Sequence, residues 1–121
     1  MAGKSSMGRR ANLEAGFARG AIVLVSLNSP REKFWGMVLE LASPGVSLRG
    51  IDLNSFEDFS RQVKAGEEVT PNAVFFPMHR VERIELDARN GEIPSLQSRF
   101  ALKTGREYGE ILREADVEPG A

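Results

Sequence analysis

Between residues 21 and 53 the apolar positions alternate or run together, and between 55 and 66, and again after 95, they recur at three and four. The first spacing is that of strands and the second that of helices. AIVLVSL, residues 21–27, is an almost unbroken β-branched run, which predicts a central strand covered on both faces. NSPR, residues 28–31, is turn chemistry. FWGMVLELA, residues 34–42, predicts a second strand, and Gly36 in its middle demands a sharp bend or the close approach of another backbone. SPG, residues 43–45, is a second turn, and VSLRGIDL, residues 46–53, a third strand. Its apolar members Val46, Leu48, Ile51 and Leu53 change step at Arg49-Gly50, as a β-bulge would make them do. VFFPMHRVERIEL, residues 74–86, predicts two strands with a break between them. Val74, Phe76 and Met78 alternate, and so do Ile84 and Leu86, but Val81 stands three residues before Ile84. A short helical turn over Pro77–Val81 accommodates that spacing.

The helical spacings are shorter. Leu13 and Phe17 make one side of a helix over Ala11–Arg19 that Gly20 stops. In SFEDFSRQVKAG, Ser55 with Asp58 resembles a capping box, Phe56, Phe59 and Val63 form the apolar side, and Gly66 ends the helix. Asn90-Gly91 predicts a tight turn with no strong strand after it. Ser95 then caps a helix carrying Leu96 and Phe100 and ending at Gly105, and Tyr108, Ile111, Leu112 and Ala115 mark one more.

This order predicts a mainly β fold: a small five-stranded barrel of the SH3-like kind, bent at Gly36 and Gly50 so that curling removes exposed edges. The expected boundaries are a tail with a short helix at 1–18, the barrel at 19–88 with one inserted short helix, and a C-terminal helical extension at 89–121. Adjacent aromatics point to opposite faces of a strand. Phe34-Trp35 and Phe75-Phe76 are therefore each expected to put one ring in the core and the other at an edge or subunit contact.

Composition narrows the chemistry. The chain has 121 residues, enough for one domain, with 41% hydrophobic and 27% charged residues, as in ordinary folded proteins. Its net charge of −1 supplies no bulk attraction to nucleic acid or an anionic membrane. Without cysteine there is no disulfide, thiol nucleophile or thiolate metal site. The one histidine, His79, has no nucleophile or carboxylate placed beside it by any motif, so neither catalysis, a metal site nor a cofactor is expected. No run of 18 apolar residues suggests a membrane span, and a cytoplasmic location is the default expectation.

Over residues 19–88 the chain resembles the Sm-like family, which includes the LSm proteins and Hfq. Gly36 stands in the second strand like the bending glycine of the family's first motif. Met78-His79-Arg80-Val81 with Ile84 resembles the second motif of Hfq, where a Lys-His pair precedes an isoleucine. The resemblance implies an SH3-like/Sm-like barrel, a homo-oligomeric ring, and RNA contact near His79. Beside it, Arg80, Arg83 and Arg49 have two readings: a phosphate-binding rim, or a solvated strand face paired with Glu82 and Glu85. Three positions depart from the family pattern. Ala42 stands in place of its aspartate, Gly45 or Val46 near its base-reading asparagine, and Met78 in place of its lysine. The expected function is binding without catalysis, by a ring subunit contacting RNA or a related ligand. The alternative is a protein-interaction module of the SH3-like kind that binds no nucleic acid.

Overall fold

A computed structural model of the protein describes residues 16–116. The expected helix at Ala11–Arg19 lies largely outside them, and the described part, residues 16–20, forms turns. Five strands follow: β1 (Ile22–Leu27), β2 (Glu32–Ala42), β3 (Gly45–Asp52), β4 (Asn72–Pro77) and β5 (Val81–Leu86). Helix α1 (Phe56–Lys64) is inserted between β3 and β4, and α2 (Leu96–Thr104) and α3 (Tyr108–Asp116) follow β5. The strands form one antiparallel sheet in the order β4-β3-β2-β1-β5. The fold is thus mainly β, with a small barrel-like sheet and three helices among the described residues.

Gly36 and Gly50 are direct cross-strand partners. A Cβ on Gly36 would lie 2.5 Å from the Arg49 carbonyl oxygen, and one on Gly50 would meet the Trp35 carbonyl and the Gly36 Cα. Two backbones pack here where side chains would otherwise hold them apart, and this curls the sheet.

The bend divides the apolar residues into two cores. Val23, Val25, Leu27, Phe34, Val38, Val46 and Leu48 fill the concave side, with Val74, Phe76, Val81 and Ile84 packed around them. On the convex side Trp35, Met37, Phe56, Phe59, Phe100, Tyr108 and Leu112 form a second core between the sheet and the helices. β1, whose outward residues Ile22 and Leu24 lean on this second core, is covered on both faces as its composition predicts. Phe34 and Trp35 do point to opposite faces, but both are buried because both faces are covered, so neither ring sits at an edge.

Two register details differ from expectation. The ladder runs unbroken through Arg49 and Gly50, opposite Met37 and Gly36. The bulge lies in the partner strand at Leu39, where Val38 faces Leu48 and Glu40 faces Ser47. The change of step at Gly50 reflects a change of face, since Ile51 turns toward the helices. In β5 the 3₁₀ turn is present at Met78–Arg80, but it ends before Val81. The three-residue spacing to Ile84 is instead absorbed by a bulge: Leu27 faces Val81 and Ser26 faces Arg83, leaving Glu82 as the extra residue. Both apolar side chains can then face the concave core.

The inserted helix is not closed by the expected box. Ser55 makes no side-chain cap, Asp58 pairs with Arg61 at 2.8 Å, and Asp52 accepts the Asn54 amide at 2.8 Å in the turn just before. Gly66, at φ +82°, ends the helix as predicted. Ser95 caps α2 through the Ser98 amide, and Gly105, at φ +76°, terminates it.

The Tyr108 ring stacks on Trp35 at 3.6 Å, and its hydroxyl donates to the Trp35 carbonyl at 2.8 Å. Burial pushes this hydroxyl well above the ordinary tyrosine range, and the charge of Asp87 adds to the effect. The unfolded chain would lose the proton near pH 10, whereas the folded one holds it. Stability is therefore full below that pH and falls above it by about 1.4 kcal/mol per pH unit. Tyr108 is the only tyrosine. Its ultraviolet ionisation signal is expected to appear together with loss of tertiary structure, and titration in the intact fold near pH 10 would contradict this.

Candidate functional site

The β4–β5 turn sets His79 and Arg80 side by side in the chain and sends them to different tasks. His79 is exposed on the 3₁₀ turn, and no side-chain hydrogen bond holds it among the described residues. Arg80 reaches back to the β1–β2 turn, donating from Nε to the Asn28 carbonyl at 2.9 Å and from Nη2 to the Pro30 carbonyl at 2.8 Å. The same Nη2 lies 3.3 Å from Glu32, and the guanidinium sits over the Phe76 ring. These bonds tie one turn to another and occupy Nε and Nη2 of the guanidinium.

Arg83 lies on the outer side of β5 and pairs through Nε with Glu85. Arg49 is on the convex face, near the helices. Its side chain is 13% exposed, donates to the Pro71 carbonyl at 3.0 Å and lies 3.5 Å from Asp116, which also takes Arg19 at 2.7 Å. The buried Arg49 Nε has no partner among the described residues. The four sequence-predicted residues thus do not converge. His79 and Arg80 share a turn, Arg83 lies in the next strand, and Arg49 anchors the last helix to the sheet.

What the fold does present, among the described residues, is a pair of unpaired edges. There β4 bonds only to β3, and β5 only to β1, so the curled sheet is not closed by hydrogen bonds between them. Each edge strand is six residues long. Within Phe75-Phe76 the expected division is found: Phe76 packs edge-on against Phe34 with centroids 5.4 Å apart, while Phe75 is 54% exposed and lies over Gly45. Met78 and Leu41 are exposed near the same end of the sheet.

A polar residue that sequence reasoning passed over holds the other side together. Asp87, directly after β5, is 9% exposed. Its Oδ2 accepts the Trp35 indole N–H and the Gln97 amide, both at 2.9 Å, and its Oδ1 accepts the Leu96 amide at 2.8 Å. With Ser95 taking the Ser98 amide, the first turn of α2 has acceptors for its three leading amides. A carboxylate at a helix N-terminus is also electrostatically favoured. No short-range motif flags this role, because the partners stand 9, 10 and 52 residues away.

Comparison of the chain with known protein families, with curated proteins and with solved structures gives no match. Among the described residues no group of three or more histidine, aspartate or glutamate side chains is placed to hold a metal ion, and no helix is long and apolar enough to cross a membrane.

Proposed function

We propose that this chain is a non-enzymatic binding module of the Sm-like or SH3-like kind that assembles with copies of itself through β4 and β5. The observation that carries the reading is the pair of free antiparallel edges of equal length on one curled sheet. An unpaired edge is a template for another strand, and natural sheets usually blunt it with charge, proline or cover. β4 reads Asn-Ala-Val-Phe-Phe-Pro, with no charge and only a terminal proline. The β4 of one copy against the β5 of the next is a heterologous contact, which makes a ring when its rotation closes. Exposed Phe75 supplies apolar area beside that edge.

The placement of the arginines favours this protein-to-protein reading over RNA binding. Arg80 is held by backbone carbonyls of the β1–β2 turn, and Arg49 is held on the convex face by the Pro71 carbonyl and Asp116. Light scattering at high micromolar concentration is expected to give a multiple of the 13.3 kDa chain mass. Phe75→Lys is expected to shift the particle toward monomer with little change in melting temperature, since the side chain is exposed. A strictly monomeric wild type would refute assembly. Oligo-U and oligo-A titrations are expected to be flat. Salt-dependent binding lost in His79→Ala would replace this reading with an RNA-contacting one.

A further inference from the structure

Ser26 is the one polar residue in the β1 run, and the sheet register places it between two cations. Lys33 of β2 faces Ser26 on one side, and Arg83 of β5 faces it on the other. Cross-strand partners point to the same face, so the three form one row on the convex side. Strands lie about 4.8 Å apart, which puts the two cationic side chains roughly 10 Å from each other at their bases. A long side chain from each can reach inward over the serine hydroxyl.

This row lies within a cleft of about 650 Å³ at the open end of the sheet. The size is that of a small-ligand site. Leu53 gives the cleft an apolar surface, and Asn54 lines it. Arg31 also lines it. Glu32, Asp52 and Glu82 line the cleft as well, and two of them are partly committed. Glu32 faces Arg80 at 3.3 Å, and one Asp52 oxygen accepts the Asn54 amide. Glu82 is the bulged residue outside the row. Arg83 uses Nε for Glu85, which leaves its terminal nitrogens as donors. Lys33 has no ion-pair partner among the described residues.

We propose that this cleft binds a phosphomonoester of a small organic molecule. Lys33 and the Arg83 terminal nitrogens would neutralise the phosphate, Ser26 would donate from below, and the carbon skeleton would lie against Leu53. Charge-assisted bonds to a dianion are the strong kind, and an arginine fork matches phosphate geometry. The row lies on the sheet face although Arg83 belongs to the edge strand β5, and Phe75→Lys, which leaves all three row residues intact, separates binding here from self-assembly.

The test is amide chemical-shift titration of the full chain with ribose 5-phosphate, inorganic phosphate and ribose. Saturable shifts are expected at Ser26, Lys33, Asn54 and Arg83 with ribose 5-phosphate, weaker ones with inorganic phosphate, and none with ribose. Lys33→Gln and Arg83→Gln should each weaken binding by about tenfold, while Lys103→Gln on α2 should not change it. Both site residues are exposed, so Trp35 emission reports an unchanged fold in every variant. Absent shifts, shifts spread evenly over all exposed cations, or shifts that persist in the double variant would overturn the proposal. So would equal binding of ribose.

Discussion

Asp87→Ala is expected to be the most damaging single side-chain truncation outside the aromatic core. It removes the acceptor of three N–H groups at once: the Trp35 indole and the Leu96 and Gln97 amides. A buried donor left without a partner costs about 1–3 kcal/mol, and bonds to a charged acceptor are at the upper end of that range. The part-buried helix amides can recover water in part, so the total loss should be about 3–5 kcal/mol. That is a large share of the 5–15 kcal/mol typical of a whole domain. Asp87→Asn should lose less, because its amide oxygen can still serve the indole while its NH₂ opposes the helix N–H groups. Urea unfolding followed by the emission of the single tryptophan measures both. Equal stability of Asp87→Ala and the wild type would show that the network does not hold α2 in place.

Removing the chain from Pro94 onward is expected to prevent folding of the sheet. The deletion takes away Phe100, Tyr108, Ile111 and Leu112, all buried against Trp35, Met37, Phe56 and Phe59. Burial of each such side chain is worth about 1.5–3 kcal/mol, so the four together contribute on the order of 6–12 kcal/mol. That is comparable to the entire stability of a small domain. The truncated chain should lack a cooperative thermal transition and should bind an apolar dye. A truncated sheet that melts cooperatively would show that residues 19–88 form an independent barrel and that the helices are an accessory to it.

Much of the local architecture can be read from the chain because its causes are local. β-branched runs gave the strands, apolar spacing gave the three described helices, and glycines at 66 and 105 stop two of them at positive φ. Gly36 and Gly50 also announce the bend, since a glycine in mid-strand requires a backbone neighbour. The split of Phe75 from Phe76 follows from strand alternation alone.

The tertiary structure decided everything that depends on which element covers which face. The sequence pattern marks Trp35 and Tyr108 as apolar, but only packing stacks them across 73 residues. The bulges at Leu39 and Glu82 are fixed by partner strands, so the change of step at Gly50 suggested the wrong place for one of them. His79, Arg80, Arg83 and Arg49 are all basic residues near turns or strands in the sequence. Face and hydrogen-bond partner separate them into an exposed ring, a turn clamp, a sheet-face cation and a helix anchor. Asp87 was invisible for the same reason. A carboxylate's role is set by the donors that converge on it, and convergence across long stretches of chain exists only once the chain has folded.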